Sequence, residues 1–171
     1  GPGGKTATMA ALADPAVTIF ANELHGHRLD LVANAIEPFG DAVILREGDA
    51  RSIGEPGRFD RVLVDVPCSG LGSLRRRPEA RWRKTYEDAE GMTDLQVGLL
   101  EAAIESARPG GLICYSTCSP DVRETREIVD RFTDRVEVLD AVEIARRIVK
   151  PGSLDTITGP YLQLWPDEHD T

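Results

Sequence analysis

Two of the three cysteines stand where a thiol can do chemistry. Cys68 lies in Asp65-Val66-Pro67-Cys68-Ser69-Gly70-Leu71-Gly72, and Cys118 in Tyr115-Ser116-Thr117-Cys118-Ser119. A thiol among Ser, Pro and Gly is accessible as a nucleophile or metal ligand, whereas one inside an apolar run packs as a small hydrophobe. Cys114, in the run 112–117 (LICYST), reads as the packing kind. A zinc site is not expected: there is no C-x-x-C pair, and His25, His27 and His169 lack ligand spacing. A cysteine hydrolase needs a histidine base beside its thiol, and none falls near a strand end. An odd, small cysteine count argues against a disulfide framework and for a reducing cytoplasm.

Other polar residues recur at comparable places. Glu23 follows the apolar run 16–21, Asp49 follows 42–46 in Gly48-Asp49-Ala50, and Asp65 ends 60–65. Asp and Ser are common helix caps, so one such residue means little, but a series at successive run ends points to a site. The opening Gly1-Pro2-Gly3-Gly4-Lys5-Thr6 puts a glycine turn before a helix, where backbone can approach a ligand and the helix end favours an anion. A Walker A loop requires four residues between its first Gly and Gly-Lys-Thr; only Pro2 and Gly3 intervene here, which disfavours a nucleotide hydrolase. A cofactor with a carboxylate tail and a nucleoside, such as S-adenosylmethionine, suits the loop better. Glu23 would then accept from ribose hydroxyls and Asp49 from an adenine amino group.

These residues must be positioned by alternating helices and strands. Helical spacing is expected over 4–13, 24–38, 94–107, 121–132 and 140–149, and strands over 16–21, 42–46, 60–65, 112–117 and 136–139. Pro109-Gly110-Gly111 should end the helix at 94–107, and the apolar stretch 161–165 closes the pattern. Short continuous apolar strands between helices define an α/β, doubly wound fold, a mostly parallel sheet with helices on both faces. Ligands of such sheets bind beyond the carboxyl ends of the strands. If 60–65 and 112–117 are neighbours, Cys68 and Cys118 flank one pocket.

Composition sets the remaining bounds. The chain has 171 residues, 41% hydrophobic and 29% charged, with no apolar run long enough for a membrane helix. A net charge of −9 is unusual for a nucleic-acid binder. Within it, however, Arg75, Arg76, Arg77, Arg81, Arg83 and Lys84 cluster against a single acid, Glu79. Such an island is either a solvated loop or a local phosphate-binding patch.

The motifs resemble those of the Sun/Fmu (RsmB-like) family of RNA 5-methylcytosine methyltransferases. Asp65 to Gly72 resembles its D-x-P-C-S-G-x-G motif, Tyr115 to Ser119 its Y-S-T-C-S motif, and Gly1 to Thr6 its cofactor loop. The basic island, with Pro78 and Trp82, resembles the stretch after the first cysteine; Leu162-Gln163-Leu164-Trp165-Pro166 resembles a late segment of the bacterial ribosomal branch. The resemblance implies a Rossmann-like class I methyltransferase fold and methyl transfer from S-adenosylmethionine to cytosine C5 of RNA, expected to be small-subunit ribosomal RNA. It implies Cys118 as the nucleophile, Cys68 in product release and Asp65 at the reacting centre or the cofactor. It also places the cofactor at Gly1, Pro2, Gly3, Gly4 and Lys5 with Glu23 and Asp49, and RNA on the basic island. The segment Arg123-Glu124-Thr125-Arg126-Glu127 departs from the family's Asn-Glu-containing segment, so no role is assigned to it. The family's strand before the glycine loop, its final Gly-Phe-Phe strand and its N-terminal RNA-binding domain have no counterpart here. Residues 1–171 are therefore expected to form a partial methyltransferase catalytic domain, with a cofactor- or RNA-binding module without turnover as the alternative. Neither a metal nor a membrane is expected as a partner.

Overall fold

The structure, a computed structural model, describes residues 2–75, 78, 79, 82 and 86–165, with the backbone alone for 86–90. The chain divides into two compact units, Gly1–Pro56 and Gly57–Thr171, each described in turn.

In the first unit, helix α1 (Gly4–Leu12) leads to strand β1 (Ile19–Glu23), helix α2 (Gly26–Ile36), a 3₁₀ turn (Glu37–Ala42) and strand β2 (Val43–Glu47). The strands pair in parallel, from Ile19 opposite Val43 to Glu23 opposite Glu47. Residues i and i+2 share a strand face, so Ile19, Ala21, Val43 and Leu45 look the same way. They meet Val32 and Ile36 of α2, together with Ala7 and Ala10 of α1. On the opposite face, the Arg46 guanidinium lies 4.7 Å from the Phe20 ring centre and covers it. Gly3 begins α1 at φ 87°, and a Cβ there would stand 2.7 Å from the Ala35 Cβ. Both facts demand glycine at that position.

In the second unit, strand β3 (Phe59–Asp65) pairs in parallel with strand β4 (Ala107–Ser116), and the long helix α3 (Tyr86–Ser106) makes the crossover. Gln96, Leu100, Ala103 and Ser106 are buried along one stripe of α3, at the spacing of a helix face. Leu100 packs with Ile128 and Phe132, and Val64, Ile113 and Tyr115 close this core from the strands. Ile128 belongs to helix α4 (Arg126–Asp130); helix α5 (Ala141–Arg146) buries Val142 and Ala145. Among the described residues no helix is long and apolar enough to cross a membrane.

Four sequence expectations shift. Strand β4 begins at Ala107 rather than 112, its early residues reaching Phe59 across an irregularity in the register, so α3 stops at Ser106 and Pro109-Gly110-Gly111, expected to end it, lies inside the strand. The helix expected over 121–132 is a 3₁₀ turn (Val122–Glu124) followed by α4, broken where Thr125 leaves helical geometry at φ −123°, ψ −97°. Residues 136–139 form no strand: Val136 packs on the core, but no neighbouring strand among the described residues supplies a pairing edge. Cys114 is exposed rather than buried. It lies on the face of β4 opposite to Ile113 and Tyr115, beside Leu112, which is also exposed.

Candidate active site

The ends of β3 and β4 bring two distant loops together. Asp65 is paired with Ser116, and the Val66 N–H continues the ladder by donating to the Ser116 carbonyl at 2.9 Å. Both chains then leave the sheet side by side, and the Sγ atoms of Cys68 and Cys118 come to 3.1 Å. Ser116 Oγ donates to Asp65 Oδ1 at 3.4 Å. The sequence separation is fifty residues, so only the parallel pairing makes the thiols neighbours. The Gly72 N–H donates to the Cys118 carbonyl at 2.8 Å. A Cβ on Gly72 would sit 2.6 Å from that oxygen, so the loop passes there only because residue 72 has no side chain.

The electrostatics favour a neutral Cys118 at rest. Cys118 is an exposed residue, but partial burial of its thiol pushes it up to about 11, and its hydrogen bond with Cys68, the Cys68 charge and the Asp65 carboxylate all act in the same direction. A nucleophilic cysteine reacts as its thiolate, which positive neighbours favour; here the neighbours are a second thiol and an acid, which act the other way. Tyr115 is likewise raised above the ordinary phenol range, chiefly by burial, then by the charges of Glu124 and Cys68.

In the first unit, Glu23 and Asp49 stand at the ends of β1 and β2. Glu23 accepts from the His25 N–H at 3.2 Å and pairs with Arg28 at 3.4 Å. Its carbonyl takes the Gly48 N–H at 3.0 Å. Asp49 caps the turn Ala50–Ser52 by accepting from the Arg51 N–H at 2.9 Å. The hydrogen bonds from the Arg51 side chain and backbone hold its carboxyl well down, at about 2, so it is a permanent acceptor. Beside it opens a cleft of about 460 Å³ lined by Asn22, Arg46, Glu47, Gly48, Asp49, Ser52 and Ile53. Of the loop residues, Pro2, Gly3, Gly4 and Lys5 open α1, while Gly1 lies outside the described residues. On the basic island Arg75 is exposed; Arg76, Arg77, Arg81, Arg83 and Lys84 lie outside the described residues. Among the described residues no group of three His, Cys, Asp or Glu is placed to hold a metal.

Several residues of the site were given no role by the sequence reading. Glu124, Gln96, Ser69 and Ser119 are buried behind the thiols. The Glu124 carboxylate accepts from the Ser69 N–H at 2.7 Å and the Ser69 hydroxyl at 2.5 Å. A polar Gln96 within the apolar stripe of α3 was the readable signal. Glu124 gave none, because it sits in a run of alternating charges. Asn22 and Ile53, on the cleft, were also missed.

Parallel strands with helical crossovers and polar groups beyond their carboxyl ends describe a Rossmann-like methyltransferase fold, and solved structures agree. The crystal structure of PH0851 matches with a TM-score of 0.83 at 28% identity, over 99% of this chain and 38% of that one. The structure of NSun6 from Pyrococcus horikoshii with SFG matches with a TM-score of 0.69 at 32% identity, over 78% of this chain and 35% of that one. The family model described as 16S rRNA methyltransferase RsmB/F matches residues 1–171, and the chain belongs to this family. A putative methyltransferase of Mycobacterium tuberculosis strain H37Rv is 45% identical over 174 residues, covering 100% of this chain and 37% of the relative. A probable ribosomal RNA small subunit methyltransferase B of Bacillus subtilis is 36% identical over 135 residues, covering 77% and 30%. The chain thus spans roughly a third of the length of these curated relatives.

Proposed function

We propose that residues 1–171 are the catalytic part of an S-adenosylmethionine-dependent RNA cytosine-5 methyltransferase acting on small-subunit ribosomal RNA in the cytoplasm. The observation that carries this reading is the 3.1 Å approach of Cys68 and Cys118 at the ends of two adjacent parallel strands. Two thiols side by side serve a reaction that needs one sulfur to bond the substrate and another group to help break that bond. The relatives named as ribosomal RNA methyltransferases and the solved relative with SFG, an S-adenosylmethionine analogue, support the substrate and cofactor classes.

The first unit's residues fit such a cofactor. The cleft beside Asp49 has a volume within the ordinary range for small-molecule sites, an anionic acceptor and an apolar wall at Ile53. Asp49 would hold the adenine amino group, Glu23 the ribose hydroxyls, and Pro2 to Lys5 with Gly1 the amino-acid tail. When bound, S-adenosylmethionine supplies an electrophilic methyl group. Asp65 would orient the base or the cofactor from the end of β3, and the basic island would hold phosphates of the RNA.

Cys118 Sγ, deprotonated, bonds C6 of cytosine, and the electron pair of the C5–C6 double bond becomes available at C5. C5 would take the methyl group as its bond to the cofactor's sulfonium breaks, the bonding pair staying on sulfur to leave a neutral thioether. A base removes the C5 proton, the C5–C6 double bond re-forms, and Cys118 leaves as thiolate. Cys68, within hydrogen-bond reach of that sulfur, assists the last step. Stacking shields the faces of C5 and C6 in a duplex, so the target cytosine is single-stranded or flipped out.

The test is a pair of substitutions in the full chain, assayed for tritium transfer from labelled cofactor to small-subunit ribosomal RNA. Cys118→Ala should abolish transfer. Cys68→Ala should allow methylation but retain RNA as an adduct stable to denaturing electrophoresis. Full transfer by Cys118→Ala sinks the assignment of the nucleophile; absence of any adduct with Cys68→Ala while transfer continues sinks the release role.

A further inference from the structure

We propose that Glu124 is a positioning residue for the thiol pair, acting through Ser69 and Ser119; this rests on the reading that Cys68 and Cys118 perform methyl transfer. Glu124 is fully buried. Three neutral donors converge on its carboxylate: the Ser69 N–H at 2.7 Å, the Ser69 hydroxyl at 2.5 Å and the Gln96 side-chain amide at 3.2 Å. Since the Ser69 hydroxyl is committed as a donor to Glu124, Ser119 must donate in the 3.1 Å contact between the two serine oxygens. Ser69 adjoins Cys68 and Ser119 adjoins Cys118, so one carboxylate orders the hydroxyl chain that links the two loops.

The same network grips the Cys68 loop at a second point. The Gln96 amide donates to the Pro67 carbonyl at 2.8 Å as well as to Glu124, although its own Oε1 finds no partner among the described residues. Tyr115, whose hydroxyl donates to the Glu124 carbonyl at 2.8 Å, fixes the backbone of Glu124 to β4. A buried carboxylate without an ion-pair partner among the described residues is costly, and an apolar side chain would fill the space more cheaply. What an apolar side chain lacks is the two oxygens that fix both donors of Ser69. That requirement belongs to the geometry of the loops rather than to the core.

The test uses Glu124→Ala and Glu124→Gln in the full chain, in a Cys114→Ser background that leaves two thiols. The first readout needs neither RNA nor cofactor. It is the equilibrium of Cys68–Cys118 disulfide formation with oxidised glutathione, in which two protein thiols are oxidised and one glutathione disulfide is reduced to two thiols. Glu124→Ala should lower the effective concentration of the thiol pair at least about tenfold. It should lower kcat by a similar factor, with KM for RNA and for cofactor within about twofold. Glu124→Gln keeps the volume and one acceptor oxygen but sets an N–H against a Ser69 donor, so both quantities should fall between those of wild type and Ala. If the Ala variant does not fold, the Gln variant decides. A folded Gln variant with wild-type thiol equilibrium and wild-type kcat overturns the proposal, as does a loss confined to melting temperature. Full activity in Cys118→Ala overturns the underlying reading instead; the thiol equilibrium, independent of turnover, then still reports whether Glu124 positions the pair.

Discussion

Removing Cys68 should make Cys118 more reactive, not less. The Cys118 thiol is pushed up to about 11 from an ordinary 9.0, first by burial and then by its hydrogen bond and charge interaction with Cys68. Thiolate content changes tenfold for each step of one in pKa, so at pH 8 only about 0.1% of Cys118 is ionised where an ordinary cysteine would be about 10%. Cys68→Ala deletes the second and third causes while leaving burial in place. Both deleted causes act in the raising direction, so the thiolate fraction should increase. A less basic thiolate is also a weaker nucleophile, with a Brønsted slope of about 0.4–0.5, so each tenfold increase in thiolate fraction brings a net gain in alkylation rate of about threefold to fourfold. The assay is iodoacetamide labelling between pH 7 and 11, with the peptide carrying Cys118 quantified by mass spectrometry. Wild-type labelling should keep climbing beyond pH 10, and the midpoint in Cys68→Ala should fall. A wild-type midpoint below 9, or an unchanged rate in Cys68→Ala, refutes the claim that the paired thiol keeps Cys118 protonated. Because the resting form is the thiol, methyl transfer limited by Cys118 should also rise with pH on the alkaline side.

Three other perturbations test separate parts of the site. Gly72→Ala drives a Cβ to 2.6 Å from the Cys118 carbonyl oxygen; the strain should cost about 1–3 kcal/mol in urea unfolding, and unchanged stability would show that the loops are not so tightly apposed. Asp49→Asn removes a permanently anionic acceptor at the cleft, so calorimetric affinity for S-adenosylmethionine should fall about tenfold or more without loss of fold; equal affinity removes Asp49 from the cofactor site. Replacing Arg75, Arg76 and Arg77 together by Ser should weaken RNA binding and reduce the slope of log affinity against log salt by about 2, at roughly 0.7 per single-strand phosphate contact; an unchanged slope makes the island a solvated loop.

What the sequence made legible follows from the range of the interactions concerned. The strands β1 to β3 and the second half of β4 were readable because each contains a short apolar run, a local signal, whereas the start of β4 through Arg108-Pro109-Gly110-Gly111 was not. The adjacency of Cys68 and Cys118 was readable as a conditional, since parallel pairing of the runs at 60–65 and 112–117 was all it required, and β3 pairs with β4 from Arg61–Leu112 to Asp65–Ser116. Residues 136–139 show the limit. Val-Glu-Val-Leu has strand-like residues, yet a strand is a relation between two segments and its partner is not encoded in its own four residues. Cys114 failed for a related reason: an apolar run says that a strand is buried somewhere but not which of its two faces is covered.

Glu124 was the hardest residue to read and carries the most consequence for the site. In sequence it is one charge among Arg123, Arg126 and Glu127, and charges in such runs usually face water. Its burial results from the break at Thr125. The chain leaves helical geometry there, so Val122–Glu124 and α4 are not one continuous helix with a single polar face. Arg123 turns instead to Asp121, at 2.5 Å, while Glu124 is left inside with Ser69 and Gln96. The two adjacent charges thus take different partners, Arg123 half-buried against Asp121 and Glu124 fully buried behind the thiols.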